Sequence, residues 1–186
     1  MKVINLFGAP GAGKSTIAME LTSMFKKNRV DAEVSLEFVK EYIHAGNNNL
    51  LAYQNYIFAQ QERQLRILLD SKEVEFAVTD APLLLSPFYA PDDYPIYFKD
   101  LVFEIFNSYD NINFLVKRRH PYSFNSRIHS EEKSNLIAKK LPAFLINHNI
   151  TYIEIYSDID IKEQVFKYLM ENHRDVEYQT NKKIRK

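Results

Sequence analysis

The sequence predicts a three-layer α/β fold, in which a parallel sheet of about five strands carries helices on both faces. Short apolar runs alternate along the chain with segments of helical periodicity, and the first run ends in a loop that holds three of the chain's four glycines. Strands that alternate with helices pair in parallel through right-handed crossovers. Ligands of such sheets bind at the carboxyl ends of the strands.

Size and composition restrict the class of protein. A chain of 186 residues suits one domain with a small lid, and 46% hydrophobic with 26% charged residues is typical of a soluble globular protein. With 24 basic and 24 acidic side chains, no global positive field attracts nucleic acid, although a local basic patch is compatible with this balance. The lack of cysteine excludes disulfides and thiolate sites, and no apolar span or leader is apparent, so we expect a cytoplasmic protein without a membrane partner.

The first strand and the first helix enclose the glycine loop. Lys2 to Phe7 is a short apolar run with the length and β-branched content of a strand buried on both faces. After the glycines, apolar residues recur on one face of a helix predicted from about Lys14 to Asn28. These residues are Ile17, Leu21, Met24 and Phe25.

The later elements continue the alternation. We predict strands within Asp31–Phe38, Val74–Asp80, Ile112–Lys117 and Ile150–Tyr156, and a long helix over Leu50–Asp70. A further helical pattern precedes the last strand, through Ile137, Leu141, Phe144 and Leu145. The order strand, helix, strand thus extends along most of the chain.

Prolines and polar tracts predict the irregular parts. Pro142 lies inside the last of these helical patterns and predicts a kink or a break near Leu141. Four prolines between Pro82 and Pro95 predict an irregular loop. We expect a single domain over residues 1–170 and a polar, frayed tail over residues 171–186.

The glycine loop predicts a phosphate site. Gly8, Gly13, Lys14 and Ser15 match G-x-x-x-x-G-K-[ST], in which backbone N–H groups surround phosphate, the lysine reaches the outer phosphates and the hydroxyl binds Mg²⁺. Glycine permits the backbone angles and the close approach, and the following helix directs its positive end at the anion. The predicted nucleotide-binding residues are Gly8, Ala9, Pro10, Gly11, Ala12, Gly13, Lys14, Ser15 and Thr16. We take ATP as the default nucleotide, because no motif reads the base and GTP stays open.

Other motifs distinguish among the proteins that share this loop. GTPases require N/T-K-x-D to read guanine, and the Asn-Lys pair at Asn181 is followed by Lys183 and Ile184 instead. Motor ATPases carry an acidic pair after an apolar strand, whereas Asp80 is followed by alanine. A compact kinase fits the chain better than either class.

The chain resembles the small P-loop kinases of the nucleoside and nucleotide kinase group. Its stretches SLEFVKEY and AVTDAPLLLSPFY are similar to those of ribosylnicotinamide kinases and of small kinase-like proteins of bacteriophages. The similarity covers most of Met1 to Met170 in element order. It implies the P-loop NTPase fold, an ATP- and Mg²⁺-dependent kinase and, for a viral chain, the host cytoplasm.

The resemblance also implies roles for two acidic residues. Glu37 falls where members of the group often place the base for the acceptor hydroxyl, with Glu41 one turn further on as the alternative. Asp80 closes the third strand, where it would bind Mg²⁺ together with Ser15 or take the base role itself. A helix-start glutamate and a turn-capping aspartate are the structural alternatives.

A basic segment after the fourth strand resembles the lid of these kinases. The lid is expected over residues 117–130 and contains Lys117, Arg118, Arg119 and Arg127. We expect a catalytic arginine here, with Arg119 and Arg127 as the leading candidates, to stabilise charge on the transferring phosphoryl group. The alternative is a solvated basic loop.

Three functions remain open at this point. The leading hypothesis is a kinase for a small nucleoside- or nucleotide-like acceptor, with Tyr53 or Phe88 as residues that could stack on its base. The second is a kinase that acts on a modified base in DNA, and the basic tail from Lys182 to Lys186 is compatible with it. The third is a nucleotide-binding regulator or NTPase without an acceptor. The oligomeric state stays open.

Overall fold

The computed structural model describes residues 1–40, 42, 46, 48–122, 130–158 and 160–173. Five strands in this part of the chain form one parallel sheet, and the predicted fold class is confirmed. The strands are β1 (Lys2–Phe7), β2 (Ala32–Ser35), β3 (Phe76–Thr79), β4 (Asp110–Lys117) and β5 (Ile153–Tyr156). Their order across the sheet is β2-β3-β1-β4-β5, so β1 is central.

Helices cover both faces of the sheet. They are α1 (Lys14–Lys27), α2 (Gln54–Asp70), α3 (Leu85–Tyr89), α4 (Ile96–Asn107), α5 (Glu131–Asn147) and α6 (Ile161–Asn172), and a short 3₁₀ helix spans Asn48–Ala52. Helices α1 and α6 share a core on one face, and α2, α4 and α5 share a core on the other. Among the described helices, none is long and apolar enough to cross a bilayer.

The central strand shows why both faces are covered. Successive side chains of a strand point to opposite faces. Ile4 and Leu6 belong to the core under α1 and α6, whereas Val3 and Phe7 belong to the core on the other side. All four are buried. The strand therefore ends between two helical layers, and the glycine loop follows it at the carboxyl edge of the sheet.

Helix α5 continues through Pro142 without the predicted break. Proline removes one hydrogen bond inside a helix and strains the preceding turn. Leu141 and Leu145 are both fully buried in the core, so packing holds the helix together on either side of the proline. Burial here outweighs the local preference.

The segment between Pro82 and Pro95 is less irregular than predicted, because it contains the short helix α3. Pro87 is the third residue of this helix, where a backbone N–H has no partner within the helix, so the proline removes no bond there. At the other end of the chain, α6 continues to Asn172, two residues into the predicted tail. Residues 174–186 lie outside the described part.

Candidate active site

The glycine loop joins β1 to α1 and depends on glycine at two positions. Gly13 precedes α1 with φ of 89°, in the left-handed region. Gly8 lies against β4, and a Cβ at this residue would be 2.7 Å from the carbonyl oxygen of Val116. The loop thus lies tightly beside the end of β4. The amino end of α1, with its partial positive charge, opens onto this loop.

Lys14 extends back across the loop. Its Nζ donates hydrogen bonds to the carbonyl oxygens of Gly8, at 2.8 Å, and of Ala9, at 3.1 Å. The ammonium group therefore lies beside the residues whose amides we predict to bind phosphate. A positive charge in this position can balance the negative charge of the outer phosphates.

Asp80 lies at the centre of a polar cluster at the ends of β1, β2 and β3. It follows β3 directly, and its side chain is 1% exposed. Its Oδ1 accepts a hydrogen bond of 2.7 Å from the backbone N–H of Glu37, after β2. Its Oδ2 accepts from the hydroxyl of Ser15 and, at 2.7 Å, from Nζ of Lys40. Since β3 lies between β1 and β2, the sheet order itself brings these groups together.

These oxygens fit a magnesium ion. Mg²⁺ in kinase sites takes one or two carboxylates, waters and the phosphates of the nucleotide. The Ser15 hydroxyl and the Asp80 carboxylate already share a cation, because Nζ of Lys40 lies 2.5 Å from Ser15 Oγ and 2.7 Å from Asp80 Oδ2. The predicted metal ligands therefore lie together and bind positive charge.

Glu37 borders the same cluster. Its carboxylate lies 3.9 Å from Nζ of Lys40, and its side chain is 40% exposed. Burial raises the pKa of the Glu37 carboxyl above its usual value of 4.5. Lys14 and Lys40 act in the opposite direction, and Asp80 adds to the increase. A carboxyl group with a raised pKa is suited to receive a proton.

Two contacts fix the segment that carries Glu37. The side-chain oxygen of Gln61 on α2 accepts from the backbone N–H of Phe38 at 3.1 Å, and its amide donates to the carbonyl of Leu36 at 3.3 Å. Gln61 is 3% exposed, so this clamp is buried. On α3, burial and the charge of Glu37 raise the pKa of the Tyr89 phenol. Glu37 is therefore held beside Asp80 by its backbone and interacts electrostatically with Tyr89.

The arginines after β4 lie on the other side of the glycine loop. Arg119 Nη1 pairs with Asp158 at 2.8 Å, and its guanidinium lies 4.1 Å from the ring centroid of Tyr156. Both partners belong to the end of β5 and the turn after it. Arg119 is thus directed away from the Glu37 and Asp80 cluster.

Arg118 faces a cavity of about 220 Å³ that the glycine loop also lines, from Gly8 to Pro10. Its Nη2 donates to Glu131 at 3.2 Å and to Asn135 at 2.9 Å, and the guanidinium lies 5.0 Å from the ring centroid of Tyr122. Its Nη1 is buried and has no hydrogen-bond partner in the described part of the chain. Within the described residues, Arg118 thus combines a place in the lining of this cavity with one buried nitrogen that has no partner.

Two predicted residues, Arg127 and Glu41, lie outside the described residues. The predicted lid over residues 117–130 is described up to Tyr122 and again at Ser130. The Ser130 hydroxyl accepts a hydrogen bond of 3.2 Å from the backbone N–H of Lys133 and caps α5. The closing role of the lid remains a prediction.

A family model described as the AAA domain matches residues 3–163. The chain belongs to the AAA domain family. The matched region of this family member includes the glycine loop, Glu37, Asp80 and Arg119. A search of curated proteins gave no significant match.

Solved structures place this AAA-domain chain within the P-loop kinase fold. A thymidylate kinase from Ehrlichia chaffeensis matches with 12% identity and a TM-score of 0.57, over 91% of this chain and 98% of that one. A deoxyadenosine kinase from M. mycoides, solved with bound dATP, matches with 19% identity and a TM-score of 0.52, over 91% of this chain and 97% of that one. At these identities the likeness establishes the fold, in agreement with the predicted P-loop architecture.

Sequence reasoning did not single out Lys40 in this AAA-domain chain and placed Arg118 behind Arg119 and Arg127. Lys40 follows Glu37 by three residues, and this spacing is typical of an exposed ion pair on a helix. Its closer contact is with Asp80, 40 residues further along the chain, and this contact depends on the pairing of β2 with β3. The quoted stretch SLEFVKEY contained the residue, but only the fold brings its ammonium group to Ser15.

Proposed function

We propose that this protein is an ATP- and Mg²⁺-dependent kinase that transfers the γ-phosphoryl group to a small nucleoside- or nucleotide-like acceptor. One observation carries the proposal: Ser15, Asp80 and Glu37 converge from three neighbouring strand ends next to the glycine loop. A site for hydrolysis needs the loop, a metal ligand and a group that orients the attacking water. A raised-pKa carboxyl beside them has a use in transfer to an acceptor hydroxyl.

Each residue has a defined task in this reaction. The loop amides and Lys14 bind the β- and γ-phosphates, and Mg²⁺ held by Ser15 and Asp80 would neutralise charge on the phosphate oxygens. The acceptor oxygen forms a bond to the γ-phosphorus while the bond to the β-phosphate oxygen breaks and ADP leaves. When the acceptor is a hydroxyl, Glu37 receives its proton. Arginines after β4 stabilise the transferring group.

The arginine assignment follows from position. The sequence favours Arg119 and Arg127, but the contacts of Arg119 with Asp158 and Tyr156 keep its charge at the end of β5. Arg118 lines the cavity beside the glycine loop, and its buried Nη1 has no partner among the described residues. We therefore add Arg118 to the candidate catalytic arginines and give it the first test.

The acceptor class rests on the surroundings of Glu37 and on the fold neighbours. Those neighbours are named as a thymidylate kinase and a deoxyadenosine kinase, and both names denote acceptors with a nucleobase. The charge of Glu37 influences the pKa of Tyr89 on α3, so this aromatic residue belongs to the surroundings of the carboxylate. Phe88 packs against Phe144 and Tyr89, whereas Tyr53 is 60% exposed. Aromatic residues near the carboxylate favour a flat acceptor group that stacks.

The test is transfer of labelled γ-phosphate from Mg·ATP to a panel of acceptors. The panel contains nucleosides, nucleoside monophosphates, ribosylnicotinamide, and plain and hydroxymethyl-modified DNA. We expect a labelled small molecule in the wild-type reaction and none with Lys14→Ala. Lys26→Ala on the same helix is the matched control, since its partner is the exposed Glu33.

The other outcomes distinguish the remaining hypotheses. Label in modified DNA alone would replace the small acceptor by a base in a polymer, and salt-sensitive DNA binding would accompany it. Slow phosphate release that no acceptor accelerates would overturn the kinase proposal in favour of a nucleotide-dependent regulator. GTP in place of ATP tests the donor in the same assay.

A further inference from the structure

Lys40 occupies the position between the two predicted metal ligands. Its Nζ lies 2.5 Å from Ser15 Oγ and 2.7 Å from Asp80 Oδ2. Magnesium binds oxygen ligands at about 2.0–2.1 Å. An ion bound to both oxygens would therefore overlap the space that the ammonium group fills.

The two cations exclude each other for electrostatic reasons as well. Each carries positive charge, and each is attracted to the same nearly buried carboxylate. At such short separation their mutual repulsion is large, because little water lies between them to screen it. The site holds one cation at a time.

We propose that Lys40 is a tethered cation that occupies the metal position in the nucleotide-free protein and that Mg·nucleotide displaces. This inference rests on the proposed function, because it takes Ser15 and Asp80 as the metal ligands. The displaced ammonium group moves toward the carboxylate of Glu37, which is already 3.9 Å away. Lys40 thereby lowers the affinity of the empty site for metal and keeps the buried Asp80 charge compensated.

A purely structural role for Lys40 explains the contacts less well. Asp80 already accepts hydrogen bonds from the Glu37 N–H and from the Ser15 hydroxyl, so its oxygens have other partners. The Lys40 side chain is 38% exposed, so it is not enclosed by the core and can swing outward. A lysine that only stabilised Asp80 would not need to donate a hydrogen bond to the Ser15 hydroxyl as well.

The experiment compares the benefit of metal for nucleotide binding in several variants. The affinity for AMPPNP, a non-hydrolysable ATP analogue, is measured by calorimetry in Mg²⁺ and again in EDTA. The ratio of the two dissociation constants, EDTA over Mg²⁺, gives the metal benefit. We expect Lys40→Met to raise this ratio about tenfold or more, because the competing charge-assisted hydrogen bonds are lost.

Two further variants identify which statement fails. Lys26→Met removes an exposed lysine at the far end of α1, where it pairs with Glu33 on β2. This variant should leave the ratio unchanged. Asp80→Asn should reduce the ratio toward one, because it removes the metal ligand. An unchanged ratio in Lys40→Met with a reduced ratio in Asp80→Asn overturns this inference alone. An unchanged ratio in Asp80→Asn contradicts the metal position of the proposed function, and this inference with it.

A crystal structure of the wild type with Mn²⁺ and AMPPNP gives an independent readout. We expect an anomalous peak between Ser15 and Asp80 and a distance from Lys40 Nζ to Asp80 Oδ2 longer than about 4 Å, the limit of an ion pair. A metal ion at this position together with the 2.7 Å contact intact would overturn the displacement.

Discussion

The two sides of the glycine loop differ in how their charged groups are used. On the Asp80 side, four groups from three segments are joined by hydrogen bonds, and the Lys40 ammonium group lies between the two oxygens that we predict to bind metal. On the arginine side, Arg118 contacts Glu131 and Asn135, and Arg119 contacts Asp158. Positive charge that is already paired with carboxylates is less able to stabilise a phosphoryl group.

This difference indicates which side of the site is already positioned for phosphoryl transfer and which side has to rearrange first. The Asp80 side is positioned by buried strands and by the Gln61 clamp, so its backbone is already in place, and the Lys40 side chain is the group that we propose moves when metal binds. If the arginines act as we propose, they must exchange their carboxylate partners for phosphate oxygens, or Arg118 must act through Nη1, which is buried and has no partner among the described residues. Such an exchange is the usual work of a lid.

Loss of Lys14 should have the largest effect of any single change. Lys14→Ala removes the ammonium group that lies over the loop, and we expect the transfer rate to fall about 10³-fold or more. Initial rates of γ-phosphate transfer measure it. Lys26→Ala should retain the wild-type rate. Wild-type transfer by Lys14→Ala would remove the glycine loop from the mechanism.

Glu37→Gln tests the Asp80 side without removing the metal ligands. A positioned base contributes about 10²–10⁴-fold, so we expect a fall of about 10²-fold in kcat with little change in nucleotide affinity. Since burial raises the pKa of Glu37 above 4.5, the wild-type kcat/KM should decline as the pH falls through that raised pKa and the carboxylate gains a proton. Glu37→Gln should lack this decline. An identical acid limb in the variant assigns the proton to another group, with Asp80 next in line.

The Asp80 side also shows how much of the site the sequence predicts. The motif predicts the roles of Lys14 and Ser15, because its lysine reaches the outer phosphates and its hydroxyl binds Mg²⁺. The placement of Glu37 and Asp80 after apolar strands predicts a common edge, because parallel strands end together. The sequence does not predict their direct contact, because this contact depends on the strand order. In the structure β3 lies between β2 and β1, and other orders were possible.

Local rules fail where packing decides the outcome. Proline chemistry predicts a break in α5, but Leu141 and Leu145 anchor the helix on both sides of Pro142. The arginine side follows the same pattern. The sequence places Arg119 ahead of Arg118, and it cannot predict the different partners that α5 and the turn after β5 bring to the two side chains.

Alanine substitutions of single arginines test the arginine side. Arg118→Ala should reduce kcat about tenfold or more, because a buried guanidinium donor beside the loop is lost, whereas Arg119→Ala should change kcat less than about threefold. Arg127→Ala belongs in the same series. Steady-state kinetics with saturating Mg·ATP separate the three variants. A larger loss in Arg119→Ala than in Arg118→Ala would show that Arg119 leaves Asp158 during the reaction, and would restore its priority.

The smallest effect concerns the link between α5 and the glycine loop. The hydroxyl of Ser134, 2% exposed, donates to the carbonyl of Pro10 at 2.7 Å. Ser134→Ala leaves that carbonyl without this donor, and we expect the free energy of unfolding to fall by about 1–2 kcal/mol. Ser71 donates an equally short bond to the carbonyl of Leu68, but at an exposed site.

Ser71→Ala is therefore the matched control, and it should cost less than about 0.5 kcal/mol because water replaces the lost donor. Urea unfolding with a common m-value measures both variants. If Ser134→Ala and Ser71→Ala lost equal amounts of unfolding free energy, the hydrogen bond from Ser134 would not hold α5 to the loop. The arginine side could then shift as a unit with α5, and the contrast with the fixed Asp80 side would be stronger.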